Sequence, residues 1–179
     1  DEDSSTPLIY AIYSSLEVVD LLLQKGANIN QADSEGMTAL MKAIQNDNHK
    51  MVELLVNSGA NINLKDNDGK TAILFTSCSK NKKTIDFLIS KGANINDKDK
   101  NGNNLFMLSA CSDDVDMANF LISKGINLNE KDNDGANILM ASASSGSKKI
   151  VKMLLEKGFD INSKDNNGKT PFLHSAFSC

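Results

Sequence analysis

The chain has 179 residues, a formal net charge of -4 and 40% hydrophobic residues, a composition typical of a folded protein rather than a disordered one. All 19 of its basic residues are lysine, and a net negative chain without arginine disfavours nucleic-acid binding. No apolar run approaches the ~18 residues that a membrane-spanning helix needs, so we expect neither a nucleic-acid nor a membrane partner.

A period of 33 residues organises the chain. The positions that recur at this interval include the aspartates Asp33, Asp66, Asp99, Asp132 and Asp165. The period predicts one domain over 1–179, with repeats at about 5–33, 34–66, 67–99, 100–132 and 133–165 and a partial repeat over 166–179. A unit of this size cannot bury a core by itself, so we expect the repeats to stack on one another.

Within each repeat the pattern predicts a helix, a turn, a second helix and a loop. Thr6 precedes Pro7, an order typical of a helix start. The N-caps expected for the next four first helices are Thr38, Thr71, Asn104 and Asn137. The second helices should end at glycines with a left-handed backbone, namely Gly26, Gly59, Gly92, Gly125 and Gly158. An extended Asn-Ile-Asn segment and an Asp-x-x-Gly turn should then form a hairpin-like finger.

Three stretches of repeat 2 carry a family resemblance. They are Gly-x-Thr-Ala-Leu-x-x-Ala from Gly36, Glu53-Leu54-Leu55, and Gly-Ala-Asn-Ile-Asn from Gly59. The pattern resembles ankyrin repeats, in register from Thr6 to Phe177. This resemblance implies an all-α solenoid of stacked helix-turn-helix units joined by β-hairpin-like finger loops. It also implies a non-enzymatic protein-protein interaction module.

The chain departs from that family pattern at two positions. The histidine of the first helix is replaced by apolar residues such as Met41. The glycine between the helices survives only as Gly146, while Asp47, Lys80 and Asp113 occupy its place in other repeats. Because a left-handed backbone is strained at residues other than glycine, we expect these turns to be looser.

No catalytic, cofactor or metal site is predicted. The run from Asp97 to Gly102 matches the first half of an EF-hand calcium loop, but the required twelfth-position glutamate is replaced by Leu108. Cys78 and Cys111 are equivalent in adjacent repeats, where stacked helices lie ~8–10 Å apart, farther than a disulfide allows. Free thiols are therefore expected, which favours a cytoplasmic location while leaving a secreted or periplasmic one open.

The resemblance implies that finger tips and the exposed sides of the first helices line a concave face that binds a protein partner. The candidate partner-binding residues, assigned by repeat register, are Met37, Gln45, Asn46, Asn67, Asp68, Lys70, Cys78, Ser79, Asn101, Asn103, Cys111, Ser112, Asn133, Asp134, Ser144 and Ser145. The sequence does not identify the partner.

Two alternatives to this function stay open. The chain ends after one helix of its last repeat, so Phe172, Leu173 and Phe177 lack the helix that should cover them. Either the chain is a fragment of a longer array, or another chain covers this end, as in a structural array or self-association through the open C-terminal end. The chain could also be the ankyrin segment of a longer enzyme or secreted effector.

Overall fold

A computed structural model describes residues 5–79 and 81–176, except for the side chain of Cys78. The fold is all-α, as predicted. The contacts divide the chain into two compact units, residues 1–94 and 95–179. The single domain therefore stays a prediction. No helix among the described residues is long and apolar enough to cross a membrane.

The first unit holds three helix pairs, one for each of the first three repeats. Their bounds are α1 Pro7–Ala11, α2 Leu16–Gln24, α3 Ala39–Gln45, α4 His49–Asn57, a 3₁₀ helix Ala72–Cys78 and α5 Lys82–Ser90. Its core is built from the apolar stripes of these helices, with Leu40, Met51, Leu55, Ile73 and Leu88 all at most 1% exposed.

The second unit continues the pattern. Its helices are α6 Leu105–Ser109, a 3₁₀ turn Ala110–Ser112, α7 Val115–Ser123, α8 Ile138–Ser144, α9 Lys148–Glu156 and α10 Pro171–Ala176. Phe106, Leu121, Ile138, Met140 and Leu154 form its core.

The predicted N-caps of the first helices are confirmed in most repeats. The side chains of Thr38, Asn104 and Asn137 accept hydrogen bonds from the backbone N–H three residues later. The prediction is wrong for Thr71, whose side chain does not cap its helix. That helix is 3₁₀, and the N–H of Leu74, three residues later, donates to the Thr71 carbonyl at 3.0 Å instead.

The second helices end as the glycines predict. Gly125 has a φ of +85°. Its N–H donates to the carbonyl of Ile122 at 3.0 Å, and the N–H of Ile126 donates to the carbonyl of Leu121 at 3.2 Å. This closes a Schellman motif that satisfies the last carbonyls of α7. The same pair of hydrogen bonds ends each of the other second helices, at Gly26, Gly59, Gly92 and Gly158.

Each finger is a tight turn organised by its aspartate. In finger 1, residues 33–37, Asp33 Oδ1 accepts hydrogen bonds from the N–H groups of Glu35 and Met37, both at 2.9 Å. The same arrangement recurs in finger 2 (66–70), finger 3 (99–103), finger 4 (132–136) and finger 5 (165–169).

The expected extended Asn-Ile-Asn segment is wrong. Asn28 Oδ1 accepts from the N–H of Asn30 at 3.1 Å, so its own side chain bends the segment into a turn. The pattern repeats at Asn61 with Asn63. Single antiparallel bridges such as Ala32 with Thr38 are the only β pairing among the described residues.

Neighbouring fingers are joined by hydrogen bonds. In the second unit, Asn133 donates its backbone N–H to the Asn101 carbonyl at 2.9 Å and its side-chain amide to the Lys100 carbonyl at 2.7 Å. A Cβ on Gly102 would lie 2.8 Å from the Asn133 nitrogen. Glycine is therefore required at this turn for close finger contact as well as for its positive φ.

The turns between helices are not looser where aspartate replaces glycine. Asp47 and Asp113 both adopt the left-handed conformation, with φ of 53° and 48°. Asp113 Oδ1 accepts from the N–H groups of Lys149 and Ile150 at 2.8 and 3.1 Å, and so caps the start of α9 in the next repeat. These contacts compensate for the backbone strain, which the expectation of looseness ignored. Lys80, the third such position, lies outside the described residues.

Replacing Gly102 with alanine should destabilise the protein more than the same change at Gly125. Both glycines have positive φ, which costs about 1 to 2 kcal/mol for alanine. Only Gly102 also meets a neighbouring backbone, whereas a Cβ on Gly125 would meet nothing within 4 Å. Urea unfolding of the two variants measures the difference, and equal losses would show that finger contact adds nothing.

The capping role of Asp113 is tested by a series at that position. Asp113→Asn keeps an acceptor and tolerates the left-handed backbone, so we expect little loss of stability. Asp113→Ala loses the acceptor and keeps the strain, and should cost about 2 kcal/mol in urea unfolding. Asp113→Gly should fall between them. If the alanine variant were as stable as the asparagine variant, the acceptor at this position would not be stabilising α9.

Candidate partner-binding surface

A polar cleft of about 370 Å³ lies in the first unit, between fingers 1 and 2 and the helices that follow them. Its lining residues are Ser34, Glu35, Met37, Gln45, Asp66, Asn67, Asp68, Lys70 and Phe75. Five of the predicted residues therefore converge on one concave site.

Charged groups line the rim of this cleft. Glu35 and Asp68 have side chains 76% and 75% exposed. Glu35 lies 3.6 Å from Lys42, and Asp68 lies 3.9 Å from Lys70. The Lys70 ammonium is also 6.0 Å from the centre of the Phe75 ring. The cleft thus combines carboxylates, an amide and the face of one aromatic ring.

The prediction of Met37 as a tip residue is wrong. Its side chain is 5% exposed, because the two hydrogen bonds that Asp33 accepts fold the end of finger 1 back onto the helices. Ala136, at the same position of finger 4, is 6% exposed. The polar residues at this position of the other fingers are less buried, with Lys70 and Asn103 half-buried and Lys169 exposed.

The side chains of several predicted residues form hydrogen bonds within the protein. The Asn67 amide donates to the Ser34 carbonyl at 2.8 Å, and Ser79 Oγ donates to Asp47 Oδ1 at 2.8 Å. In the second unit, Asn133 joins two fingers as described above, and the Asn103 amide donates to Asp99 Oδ2 at 3.1 Å. These side chains position the surface and have few polar atoms left for a partner.

The remaining predicted residues lie mostly on the surface. Gln45 and Asn46 are exposed at the end of α3. In the second unit the exposed ones are Asn101, Cys111, Ser112, Asp134 and Ser145, while Ser144 is half-buried. Ser112 and Ser145 donate their hydroxyls to carbonyls of their own helices. Cys111 is an unpaired thiol, and the Cys78 side chain lies outside the described residues.

The comparisons with known proteins identify the family and the fold. The family model described as "Ankyrin repeats (3 copies)" matches residues 1–66, 28–99, 58–132 and 106–179. The chain belongs to the ankyrin-repeat family. Ankyrin repeats are in general protein-protein interaction modules and non-enzymatic scaffolds.

Solved structures give the same result. The crystal structure of the ankyrin repeat domain of Bcl-3, a member of the IkappaB protein family, superposes with a TM-score of 0.80 at 26% identity. The match covers 96% of this chain and 78% of that one. No curated protein sequence matches this chain significantly.

Sequence reasoning missed Phe75 in this ankyrin surface. Phe75 occupies one first-helix position, the one held by Lys42, Leu108, Ala141 and His174 in the other repeats that carry a finger. A position that differs in every repeat beside an invariant aspartate is the signal that could have identified it.

The side-chain contacts of the finger aspartates depend on this variable position. Lys42 lies 3.0 Å from Asp33, and His174 Nε2 lies 3.0 Å from Asp165 Oδ2. Burial alone would raise the pKa of Asp33, but hydrogen bonds from Met37, Lys42 and Glu35 together hold that pKa below its usual value. The described residues contain no group of three or more potential metal ligands.

The lowered pKa of Asp33 predicts an acid-sensitive contribution to stability. The contribution is present above the unfolded value of 3.8 and is lost as pH falls through the lower folded pKa. Asp33→Asn keeps an acceptor for the finger but has no charge, so its free energy of unfolding should fall less on acidification. Urea unfolding at neutral pH and below 3.8 measures this, with Asp68→Asn as control. An acid response unchanged by Asp33→Asn would contradict the assignment.

Proposed function

We propose that the chain is a non-enzymatic protein-binding module whose first unit binds its partner through the cleft between fingers 1 and 2. The single observation that carries this proposal is the convergence of exposed charged and amide groups with an aromatic ring in one cleft. The general role of ankyrin repeats supports it.

The cleft has the properties of a preformed binding site. Its fingers are fixed by hydrogen bonds from Asp33 and Asp66 and by the Asn67 contact between them. A rigid backbone reduces the loss of conformational entropy on association. Phe75 supplies an apolar contact in the cleft, and Glu35 and Asp68 supply exposed charges at its rim. An aromatic contact bordered by polar groups is common at energetic hot spots.

Among the described residues of the first unit, His49, Thr84 and Glu53 are arranged like a catalytic triad, but the burial of Thr84 disfavours a catalytic role. His49 Nδ1 lies 3.0 Å from Thr84 Oγ1, and its Nε2 lies 3.4 Å from Glu53. This order resembles a nucleophile, base and acid. Thr84 is 3% exposed, however, so its hydroxyl is inaccessible to a substrate. The contact ties α4 to the start of α5.

Self-association is the second candidate function. The observation that favours it is the 75% exposure of Phe172 in α10, where it presents a large apolar side chain to solvent.

The cleft hypothesis predicts that Asp68→Lys combined with Gln45→Arg weakens partner binding about tenfold or more, through reversed charge and steric bulk. The measurement is affinity capture from native lysate, with the captured protein identified by mass spectrometry and titrated against each variant. Both substituted side chains are exposed, so urea unfolding should be unaffected.

The matched control is Lys83→Glu, an exposed charge reversal on α5, away from the cleft. This substitution should leave capture of the partner unchanged. If the control abolished capture and the cleft variant retained it, the partner would bind elsewhere.

A further inference from the structure

The finger aspartates differ in what their second carboxylate oxygen contacts. In each finger, Oδ1 of the aspartate accepts the backbone hydrogen bonds of the turn. Oδ2 of Asp33 lies 3.0 Å from the Lys42 ammonium, and Oδ2 of Asp165 lies 3.0 Å from His174 Nε2. Both nitrogen groups belong to the same first-helix position, nine residues after the aspartate. In these two repeats the chain itself therefore supplies a nitrogen group to Oδ2.

Finger 2 has no such group. The residue nine positions after Asp66 is Phe75, whose ring cannot donate a hydrogen bond. Among the described residues, no side chain donates to Asp66 Oδ2, whereas Oδ1 accepts from the N–H groups of Asp68 and Lys70. Asp66 is half-buried and lines the cleft between fingers 1 and 2 together with Phe75. One carboxylate oxygen of this cleft thus lacks the partner that its equivalents have in fingers 1 and 5.

The charge of the cleft favours a positively charged ligand. Three of its lining residues, Glu35, Asp66 and Asp68, are carboxylates, and only Lys70 is basic. The Lys70 ammonium lies 6.0 Å from the centre of the Phe75 ring, at the outer limit of a cation–π contact. A concave site with excess negative charge attracts cations, and the face of an aromatic ring adds to that attraction.

The shape of the site favours a guanidinium group. A guanidinium is flat, so its face can stack on the Phe75 ring while its edge donates up to five N–H groups to carboxylates. A lysine ammonium has three donors on one nitrogen and no flat face to stack. The cleft volume of about 370 Å³ is at the lower end of the roughly 300–1,000 Å³ of small-ligand sites, which suits one side chain with its flanking backbone.

We propose that the cleft between fingers 1 and 2 binds an arginine side chain from an exposed segment of the protein partner. This inference rests on the function proposed above and names the chemistry that the cleft recognises. The guanidinium donates to Asp66 Oδ2, as Lys42 does to Asp33, and stacks on Phe75. The 179 residues contain no arginine, so a second copy of them cannot supply this side chain.

NMR titration with three capped peptides tests the inference. The peptides are acetyl-Gly-Gly-Xaa-Gly-Gly-amide, with arginine, lysine or citrulline as Xaa. We expect the arginine peptide to bind most tightly, the lysine peptide about threefold more weakly, and the citrulline peptide, which keeps the shape but has no charge, about tenfold more weakly. The shifted backbone amides should lie within 34–37 and 66–75. Equal binding of the arginine and citrulline peptides, or no saturable shift in these amides at millimolar peptide, would overturn the proposal.

Two variants test the contacts with the arginine side chain. Asp66→Asn keeps an acceptor for the turn but loses the negative charge, and should weaken binding of the arginine peptide about fivefold or more. Phe75→Leu removes the ring and keeps an apolar side chain, and should weaken binding about threefold.

Asp132→Asn is the matched control for Asp66→Asn. Asp132 organises finger 4 through the same two backbone hydrogen bonds, and it does not line the cleft. This variant should bind the arginine peptide like the original chain, and urea unfolding should show similar changes in stability for the two asparagine variants. Equal weakening of peptide binding by both would contradict a specific contact at Asp66.

Lys70→Gln should strengthen binding. The substitution removes an ammonium that competes for the Phe75 ring and for Asp68, while the Lys70 backbone N–H that donates to Asp66 is kept. We expect binding of the arginine peptide to tighten about twofold. A loss of affinity would show that Lys70 itself contacts the ligand, which contradicts recognition of a cation.

The peptide titration and the partner capture fail independently. If Asp68→Lys with Gln45→Arg abolished capture while no peptide bound, the cleft would be the partner site and the assignment to arginine would be wrong. If the arginine peptide bound as expected while capture was unaffected by that double variant, the cleft would recognise arginine but would not be the site that binds the captured partner.

Discussion

Each repeat in this protein depends on its neighbour to satisfy polar groups as well as to cover apolar ones. Asp113 caps α9 of the following repeat, and the hydroxyl of Ser147, at the start of that helix, donates back to the Ala110 carbonyl. The N–H groups at the start of α9 and the carbonyl at the end of the preceding first helix would otherwise be unpaired. The repeat is therefore a unit of sequence, whereas the unit of stability is a pair of repeats.

The same dependence decides which surface residues are available for recognition. An asparagine such as Asn67 has to stay asparagine because its amide joins two fingers, and the aspartate of each finger has to accept two backbone hydrogen bonds. Recognition is left to positions without such a task. Phe75 is the clearest case, because it lines the cleft, whereas its repeat equivalents Lys42 and His174 contact the finger aspartates.

The sequence determined the repeat length, the helix ends and the finger aspartates because each depends on local chemistry that recurs five times. It did not predict the contacts between repeats. Asp113 was expected to loosen its turn, since the N–H groups of α9 that it caps are 36 and 37 residues away. Met37 was assigned to a finger tip because register places it there, although the folding of the turn buries its side chain. The 3₁₀ conformation of Ala72–Cys78 has no local signal that we can identify.

Stacking and recognition place opposite demands on the sequence of an ankyrin chain. Stacking surfaces must be alike in every repeat, since each one faces a neighbour built on the same plan; Leu40, Phe106 and Leu139 are accordingly large, apolar and buried. A surface that is alike in every repeat distinguishes poorly between partners and is best matched by another repeat. The cleft around Phe75 has different residues from its equivalents in other repeats, and selective binding requires such a difference.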